Sequence, residues 1–415
     1  MKELDGKLQA LKPAVTPPSV CLAMIVKDDF GDDEAHVIER CLDSTYGLIS
    51  HLVVVPTSKT KAYGEAGDLA KHWAKGNGIP IRMQHIRWVD DFGKARNVAH
   101  ELAVLSGCDW ILLLDADEEL NADPEKIAEV LVKTIAPVLM LPMISAAGRI
   151  IPRTTFIRNI PGWNWEGRLH ETPMLKGDVP QAELMGDVER PLAGPHVSTK
   201  QDGARSRDPK KLEKDIDILT AAHEEMRSPR DLFFLGEAWW IKARTAKVQD
   251  EHALRAALDA FTHYLNVPYQ KGMAYYAHLT IGRIHVKLGS YPDALASFFK
   301  AYSMCPTRVE ALGEVAQSYA MAGQWPMAKI YALACAHAPK PDPATLEFLE
   351  PEWAAWKGLL LLVQALVNLN QLDIATMYLE LLLTRQGLPE DVKAQMSQLL
   401  KAIKTPQDSG QPSQS

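Results

Sequence analysis

The chain has 415 residues, of which 47% are hydrophobic, and a formal net charge of −7 at pH 7. This length can form two or three domains with their own cores, and the overall acidity gives no global attraction for nucleic acid. The cysteines stand singly without a CxxC pair, and no apolar run approaches the roughly 18 residues of a membrane span, so we predict a cytoplasmic protein without zinc cage, disulfide framework or membrane helix.

Residues 19 to 160 alternate short β-rich runs with helical patterns, which is typical of a mostly parallel sheet. In chain order the runs read SVCLAMIV, EAHVIERCLDST, HLVVVP, AGDLAKHWAKG, PIRMQHIR, GKARNVAHELAVLSG and DWILLLDAD. A further helix begins with Asp123 as N-cap and Pro124 at its first position. We predict an N-terminal arm over residues 1–18 and an α/β, Rossmann-like domain over residues 19–208.

The β signal disappears after this domain, and residues 209–403 are helical and self-similar. Gly289 and Gly323 are 34 positions apart, and Pro306 and Pro339 are 33 apart. That period, with glycine between paired helices and proline after the second, resembles the tetratricopeptide repeat. We predict an all-α repeat domain followed by a disordered tail over residues 404–415.

An acidic cluster follows the apolar run DWILLL. Asp115 and Asp117 lie where an open parallel sheet presents its ligand crevice, and carboxylate oxygens there can bind a divalent cation or a sugar hydroxyl. Glu118 and Glu119 are interpreted as a solvated exit from the strand. The alternative for the whole cluster is a solvated turn.

A predicted helix start upstream carries Asp91, Lys94, Arg96 and Asn97. A helix N-terminus attracts anions, and arginine can contact two phosphate or carboxylate oxygens at once. The segment therefore indicates an anion site. Ion pairs of these side chains with Asp90 or Asp91 are the alternative.

Three stretches together resemble a known family: SVCLAMIVKDD, HVIERCLDSTYGLISHLVVV and WVDDFGKARNVAHELAVLSGCDWILLLDADEEL. They are similar to GT-A fold glycosyltransferases of family two, especially the subgroup with C-terminal tetratricopeptide repeats. The resemblance implies an inverting hexosyl- or pentosyltransferase that uses manganese or magnesium and a nucleotide-sugar, usually a uridine diphosphate sugar. It assigns Asp115 to the donor's ribose or sugar and Asp117 to the metal, with Arg96, Asn97 and Asp91 at the donor.

Residues 158–173, RNIPGWNWEGRLHETP, resemble the acceptor side of that subgroup's cleft. Trp163 and Trp165 offer flat surfaces for stacking, with Arg168 and His170 beside them. Inverting transfer needs a carboxylate that removes the acceptor's proton, and we assign this role to Glu171, with Glu166 second. In the alternative interpretation the two tryptophans cap the sheet and Glu171 pairs with Arg168.

The resemblance also places His196 at the metal. Lys200 and Arg205 are candidates for contact with the diphosphate; attraction of a polyanionic acceptor or a solvated helix start are the alternatives for this basic segment. The Thr57 hydroxyl is a candidate for contact with the donor. Two positions depart from the family pattern, because Pro56 replaces the aspartate that contacts the donor's base and Val197 follows the histidine where the family often has glycine.

These features predict a transferase whose repeats hold a macromolecular acceptor, either a peptide or protein, or a hydroxymethylated base in phage DNA. The alternative is a non-catalytic sugar- or protein-binding adaptor built on a decayed GT-A domain, which the two departures would fit. A nucleotidyltransferase would carry a glycine-rich loop after the first strand, and MIVKDDFGDD has none.

Overall fold

A computed structural model describes most of the chain. The described residues are 17–28, 35–59, 64–145, 150–178, 181–185, 194–200, 202, 208–226, 228–268, 270–339, 348–385 and 387–404. The chain divides into two units, Met1–Asp231 and Leu232–Ser415. Nearly all of the predicted arm and tail lies outside the described residues.

The strands belong to the first unit. They are β1 (Val20–Lys27), β2 (His51–Ser58), β3 (Ile81–Met83), β4 (Ile86–Arg87), β5 (Trp110–Leu113), β6 (Glu118–Asn121), β7 (Val138–Ile144), β8 (Ile150–Arg158), β9 (Trp163–Glu166), β10 (Thr172–Leu175), β11 (Ala182–Leu184) and β12 (His196–Thr199). The helices of this unit are α1 (Ala35–Asp43), α2 (Glu65–Gly76), α3 (Phe92–Val104), α4 (Pro124–Lys133) and α5 (Lys211–Met226).

Ten strands form a mixed sheet with the order β3-β2-β1-β5-β8-β7-β12-β6, to which β4 and β11 add at β2 and β7. The β3-β2-β1-β5 part is parallel, as the alternation of runs predicted. Beyond it, β8 is antiparallel to both neighbours and β6 is antiparallel to β12, so the sheet as a whole is mixed. Strands β9 and β10 form a separate pair.

Strand β1 shows why the sheet is central to this unit. Its side chains alternate between two apolar clusters, with Leu22 and Met24 in one and Cys21 and Ala23 in the other. Helices α1 and α2 supply side chains to the first cluster and α3 to the second. A strand covered on both faces reads as a continuous apolar run, which is what VCLAMIV is.

The second unit is helical among its described residues. Helix α6 (Pro229–Thr245) contains the boundary between the units, and the helices that follow are α7 (Glu251–Asn266), α8 (Lys271–Lys287), α9 (Tyr291–Met304), α10 (Glu310–Met321), α11 (Trp325–Ala336), α12 (Gly358–Asn368), α13 (Leu372–Leu383) and α14 (Glu390–Lys404), with a π-helical turn at Trp353–Lys357 before α12. Gly282 of α8 allows a close approach to α9, because a Cβ there would lie 2.3 Å from the Phe298 ring.

Three hairpins, α8–α9, α10–α11 and α12–α13, share one turn. Gly289, Gly323 and Asn370 have left-handed φ values of 79°, 69° and 55°. The amide that follows each of them donates to the carbonyl oxygen five residues back, at 2.9 Å in all three cases. This is the closing bond of a Schellman turn. The 34-residue glycine spacing therefore marks a repeated helix end, with asparagine as the third example.

Candidate functional site

The candidate site lies at the carboxyl end of the parallel strands. Strand β1 has β2 on one side and β5 on the other, so the order of strands reverses between β1 and β5. Ligands of open α/β sheets bind in the crevice at such a point. Asp115 lies two residues after the end of β5, and Asp28 directly follows β1.

Asp28 is committed to the structure of this edge. Its carboxylate accepts hydrogen bonds from the backbone N–H groups of Gly64, at 2.6 Å, and Gly67, at 3.3 Å. It thereby satisfies amides at the N-terminus of α2, where a negative charge is favourable. Asp28 was not among the site residues predicted from the sequence.

Arg96 of α3 is the centre of the site. It is 4% exposed, and its guanidinium forms an ion pair with Asp115 and donates from Nε to Glu171 Oε1 at 3.2 Å. The guanidinium also lies 5.5 Å from the centre of the Trp165 ring. Within the part of the chain that the structure describes, Arg96 Nη1 and the Trp165 indole N–H are buried without an acceptor. The structure thus brings three predicted residues, Arg96, Asp115 and Glu171, into direct contact.

A second arginine, Arg153 of β8, completes the group. Its Nη2 lies 2.8 Å from Glu118 Oε2 and 3.7 Å from Asp115 Oδ2, and its Nη1 donates to the Leu113 carbonyl at 2.8 Å. Glu118 also accepts from the Asp115 amide at 2.7 Å. We call Arg96, Asp115, Glu118, Arg153 and Glu171 the sheet-edge cluster.

The interpretation of Glu118 as a solvated residue is wrong, because it is 4% exposed and paired with Arg153. Arg153 was missed altogether. Its signal in the sequence is a charge in the middle of the strand IIPRTTFIR, where a buried charge needs a partner.

The carboxylates of the sheet-edge cluster differ in their affinity for protons. Burial raises the pKa of Glu118 to about 8 against the opposing charge of Arg153. Burial also raises the pKa of Glu171; Arg96 opposes this shift and Asp115 adds to it. For Asp115, loss of hydration acts in the same direction, but the charges of Arg96 and Arg153 outweigh it and lower the pKa. Asp115 is therefore the charged member, and Glu118 and Glu171 are the members that can gain or release a proton.

Asn97 of α3 holds the backbone of strand β9. Its side-chain amide accepts from the Trp165 N–H at 2.8 Å and donates to the Trp165 carbonyl at 3.1 Å. At the start of α3, a Cβ on Gly93 would lie 2.5 Å from the carbonyl oxygen of Gly167. Asn97 thus holds protein backbone in this structure, and its predicted donor role remains a prediction.

The two tryptophans of β9 are core residues. Trp163 and Trp165 are each 8% exposed and belong to the cluster on the α3 side of the sheet. The Trp163 indole donates to the Arg158 carbonyl at 2.8 Å. Neither ring offers an open stacking surface, so the structure corrects that expectation, whereas Glu166 points to the exposed side of β9.

The loop before Glu171 is fixed by arginine contacts. Arg168 forms an ion pair with Glu225 of α5, not with Glu171. His170 has a left-handed φ of 52°, and its carbonyl accepts two hydrogen bonds from Arg230, at 2.6 and 3.1 Å. These contacts hold the backbone beside the predicted base in one conformation.

On the predicted donor side, Asp91 is the N-cap of α3 and accepts from the Lys94 amide at 2.8 Å. The Lys94 side chain is exposed. Thr57 is 6% exposed and donates its hydroxyl to the Val26 carbonyl at 3.1 Å. The sheet therefore already uses the Thr57 hydroxyl that was expected to contact the donor.

The predicted metal ligands are separated by the strand register. Asp117 is half-buried just before β6, but His196 of β12 pairs with Asn121, whereas Thr199 pairs with Glu118. His196 thus lies three residues along the ladder from the level of Glu118, roughly 10 Å at the rise of a strand, and Asp117 precedes Glu118. Over the described ranges, no three His, Cys, Asp or Glu side chains are arranged to hold a metal ion. The donors as arranged do not fit the implied metal.

Lys200 lies next to this ladder. Its Nζ is 3.2 Å from Glu119 Oε1, which also pairs with Arg40 Nε at 2.6 Å. Arg40 in turn makes two hydrogen bonds to Asp202, at 2.9 and 3.0 Å. The second predicted diphosphate contact, Arg205, lies outside the described residues. None of the described helices is long and apolar enough to cross a membrane.

Comparison with known proteins supports the repeats. No known protein family matches the chain. A TPR repeat-containing protein of Synechococcus elongatus is 40% identical over 101 residues, which cover 24% of this chain and 21% of that protein. The chain therefore spans only about a fifth of this relative. Together with the three hairpins and their shared turn, this similarity supports tetratricopeptide-type repeats in the chain.

Solved structures with similar folds include PilW, a type IV pilus biogenesis factor, at 20% identity and a TM-score of 0.33, covering 45% of this chain and 76% of PilW. Another is the C-terminal part of a TPR repeat-containing protein from Cytophaga hutchinsonii, at 14% identity and a TM-score of 0.35, covering 46% of this chain and 68% of that one. Similarities at these TM-scores carry no argument about function.

Proposed function

We propose that the repeats bind a segment of a partner protein and that this binding is the chain's primary activity. The observation that carries the proposal is an internal one: Arg283 of α8, Glu310 of α10 and Arg308 just before α10 hold a short piece of polypeptide, Phe348–Glu350, by contacts with its backbone and with the Glu350 side chain. A surface that binds one such segment has the groups to bind another.

Site-specific photo-crosslinking tests this function. Gln317 is exposed on α10, one turn after Glu314, whereas Lys300 is exposed on α9. A crosslinker at position 317 in the full chain should give a discrete adduct in cells, and one at position 300 should not. Identical adducts from both positions, or none from either, would contradict binding by this surface.

As a second function, we propose that the first unit transfers a sugar from a nucleotide-sugar to an acceptor hydroxyl. The resemblance implies a uridine diphosphate donor and an acceptor that is either a peptide held by the repeats or a hydroxymethylated DNA base. The specific observation in its favour is the sheet-edge cluster at the reversal of strand order, where buried Arg96 holds both Asp115 and Glu171.

The residues of the cluster would act as follows. Asp115 remains ionised and accepts hydrogen bonds from donor hydroxyls, since the arginines lower its pKa. Glu171 accepts the acceptor's proton as the new bond to the sugar forms and the nucleotide diphosphate leaves. Arg96 positions both carboxylates. Because Asp117 and His196 do not fit a metal site as arranged, no step is assigned to a metal.

Paired variants separate the two candidate bases. With a uridine diphosphate sugar and a peptide or hydroxymethylated DNA acceptor, Glu171→Gln should lower kcat by a factor on the order of 10² to 10⁴, the usual contribution of general base catalysis. Glu166→Gln is the matched control and should leave kcat within a few-fold, because Glu166 lies outside the cluster. An equal loss in both variants would contradict the assignment.

Calorimetric titration separates an active transferase from the adaptor. Uridine diphosphate is titrated with and without manganese into the native chain and into Asp115→Asn. Heat of binding in the native chain that is lost in the variant supports a donor site. No binding to the native chain under either condition would leave the protein-binding function as the chain's activity and refute sugar transfer.

A further inference from the structure

The segment Phe348–Glu350 lies against the repeats outside any helix or strand. Phe348 has a left-handed φ of 55°, and its ring stacks on Tyr276 of α8 with 4.7 Å between centroids and 30° between planes. The Phe233 ring lies 5.1 Å from it on a second side. An aromatic side chain therefore occupies a pocket made by aromatic neighbours, a contact worth more than the buried area alone.

The backbone of the segment is recognised at two points. Arg308 Nη2 donates to the Phe348 carbonyl at 3.1 Å, and the Glu350 amide donates to Glu310 Oε1 at 3.2 Å. These two contacts are made by main-chain atoms of Phe348 and Glu350 and not by the residue between them. Leu349 is thus a spacer, and the recognised positions are two residues apart.

The Glu350 side chain is recognised by charge. Arg283 of α8 donates from Nη1 and Nη2 to its two oxygens at 2.6 and 2.8 Å, the fork geometry that favours carboxylates. Burial disfavours the charged form, but these hydrogen bonds outweigh it and lower the pKa of Glu350. The Arg283 guanidinium is itself oriented by Glu314 of α10, at 2.7 Å.

The receiving groups are ordered by the repeats themselves. Arg308 and Glu310 are both almost fully buried and form an ion pair of 2.6 Å. The Tyr275 hydroxyl donates to Glu310 at 3.1 Å and accepts from the Ala311 amide at 3.1 Å, and Arg308 lies over the Tyr275 ring at 4.1 Å. We call this surface, formed by Tyr275, Tyr276, Arg283, Arg308, Glu310 and Glu314, the repeat groove.

We propose that the repeat groove is a binding site for a partner segment that carries an aromatic residue and, two residues later, a carboxylate, and that Phe348–Glu350 competes for the same groove. The proposal rests on the protein-binding function proposed above and specifies its ligand. The aromatic pocket, the two backbone contacts and the Arg283 fork define this pattern of aromatic residue, spacer and acid.

The attached segment has an advantage over a free peptide of the same sequence. A ligand joined to its site by a short chain competes at an effective concentration on the order of millimolar. A free peptide should therefore bind weakly to the native chain and much more tightly once the internal segment is disabled.

The experiment uses the fluorescein-labelled octapeptide TLEFLEPE, residues 345–352, and full-length chains. Fluorescence anisotropy should show at least tenfold tighter binding to the double variant F348A/E350A than to the native chain. Octapeptides in which alanine replaces the residue equivalent to Phe348 or to Glu350 should bind the double variant at least tenfold more weakly than the original octapeptide does. Adding Arg283→Met to the double variant should abolish binding.

If circular dichroism shows that the double variant does not fold, the single variant Glu350→Gln replaces it, because this substitution keeps the size of the side chain. This single variant should bind the peptide more tightly than the native chain does, but less tightly than a folded double variant. Equal peptide binding by native and variant chains would overturn the proposed ligand. A discrete adduct at position 317 in that case would preserve protein binding by the repeats and refute only the recognised pattern.

Discussion

The sheet-edge cluster and the repeat groove with Glu350 bound in it each place two arginines among three carboxylates, yet the pKa shifts of these carboxylates differ in direction. In the sheet-edge cluster, burial outweighs the arginines at Glu118 and Glu171 and raises both pKa values. In the repeat groove, the hydrogen bonds of Arg283 outweigh burial at Glu350 and lower its pKa. Geometry makes the difference, because Arg283 donates to both oxygens of Glu350, whereas Glu171 accepts from a single nitrogen, Nε of Arg96. The first arrangement suits proton transfer, and the second suits recognition of a fixed charge.

Removing one partner of the buried pair in the groove should have the largest effect. Arg308→Met leaves Glu310 without its ion pair in a site from which water is excluded. We expect a loss of about 3–5 kcal/mol in the stability of the repeats, the range for breaking a buried pair. The measurement is the midpoint of chemical unfolding followed by circular dichroism.

Two further variants control this prediction. The double variant Arg308→Met/Glu310→Leu should recover much of the loss, because no charge is left unpaired. Arg255→Met breaks an exposed pair with Glu251 on α7 and should cost less than about 1 kcal/mol. Equal losses of stability in the Arg308 and Arg255 variants would mean that water reaches the Arg308–Glu310 pair.

The opposite pKa shifts predict opposite pH dependences. Glu118 has a raised pKa, so the folded chain binds a proton that the unfolded chain releases between the ordinary value of 4.5 and about 8. Stability therefore falls as pH rises through this window. Melting temperatures measured from pH 5 to pH 8 should decline less steeply in Glu118→Gln than in the native chain.

Glu350 should show the reverse sign. Its pKa is lowered from the ordinary value of 4.5, so its contribution is present above that value and is lost as pH falls below it. Glu350→Gln should reduce the melting temperature at pH 7 and approach the native chain in acid. If both variants changed the pH profile in the same direction, the contrast between the two regions would be wrong.

The smallest effect on stability is expected at Lys200. This side chain is 59% exposed and pairs with Glu119 on the surface of β6. Lys200→Ala should change unfolding by less than about 1 kcal/mol. If Lys200 also contacts a donor diphosphate, the same variant should weaken uridine diphosphate binding several-fold in calorimetry, and Lys126→Ala, exposed on α4, should not.

The parts that the sequence predicted correctly are those with a local signal. The apolar run before Asp115 gave a buried central strand, and the spacing of Gly289 and Gly323 gave two of the three repeated turns. Both depend on residues close together in the chain. The third turn lacks the glycine signal, because Asn370 takes the left-handed conformation that glycine takes in the other two.

The parts that were missed depend on contacts between distant residues. Arg153 reaches Glu118 because β8 inserts antiparallel between β5 and β7, which the parallel rhythm of the sequence does not indicate. The burial of Trp163 and Trp165 depends on the pairing of Asn97 with β9 across 68 positions. Neither the local sequence signals nor the contacts between distant residues determine whether the sheet-edge cluster binds a nucleotide-sugar. Binding of a nucleotide-sugar remains a proposal.

The repeated turn has an evolutionary consequence. Asn370 follows Gly323 by 47 positions instead of 34, and the extra residues lie between two hairpins rather than within one. Each hairpin closes through its own turn. A segment inserted at a junction between two hairpins can therefore change in length or in sequence while the helices keep their fold. Junctions of this kind are where related chains could acquire different partner specificities while their helices stay the same.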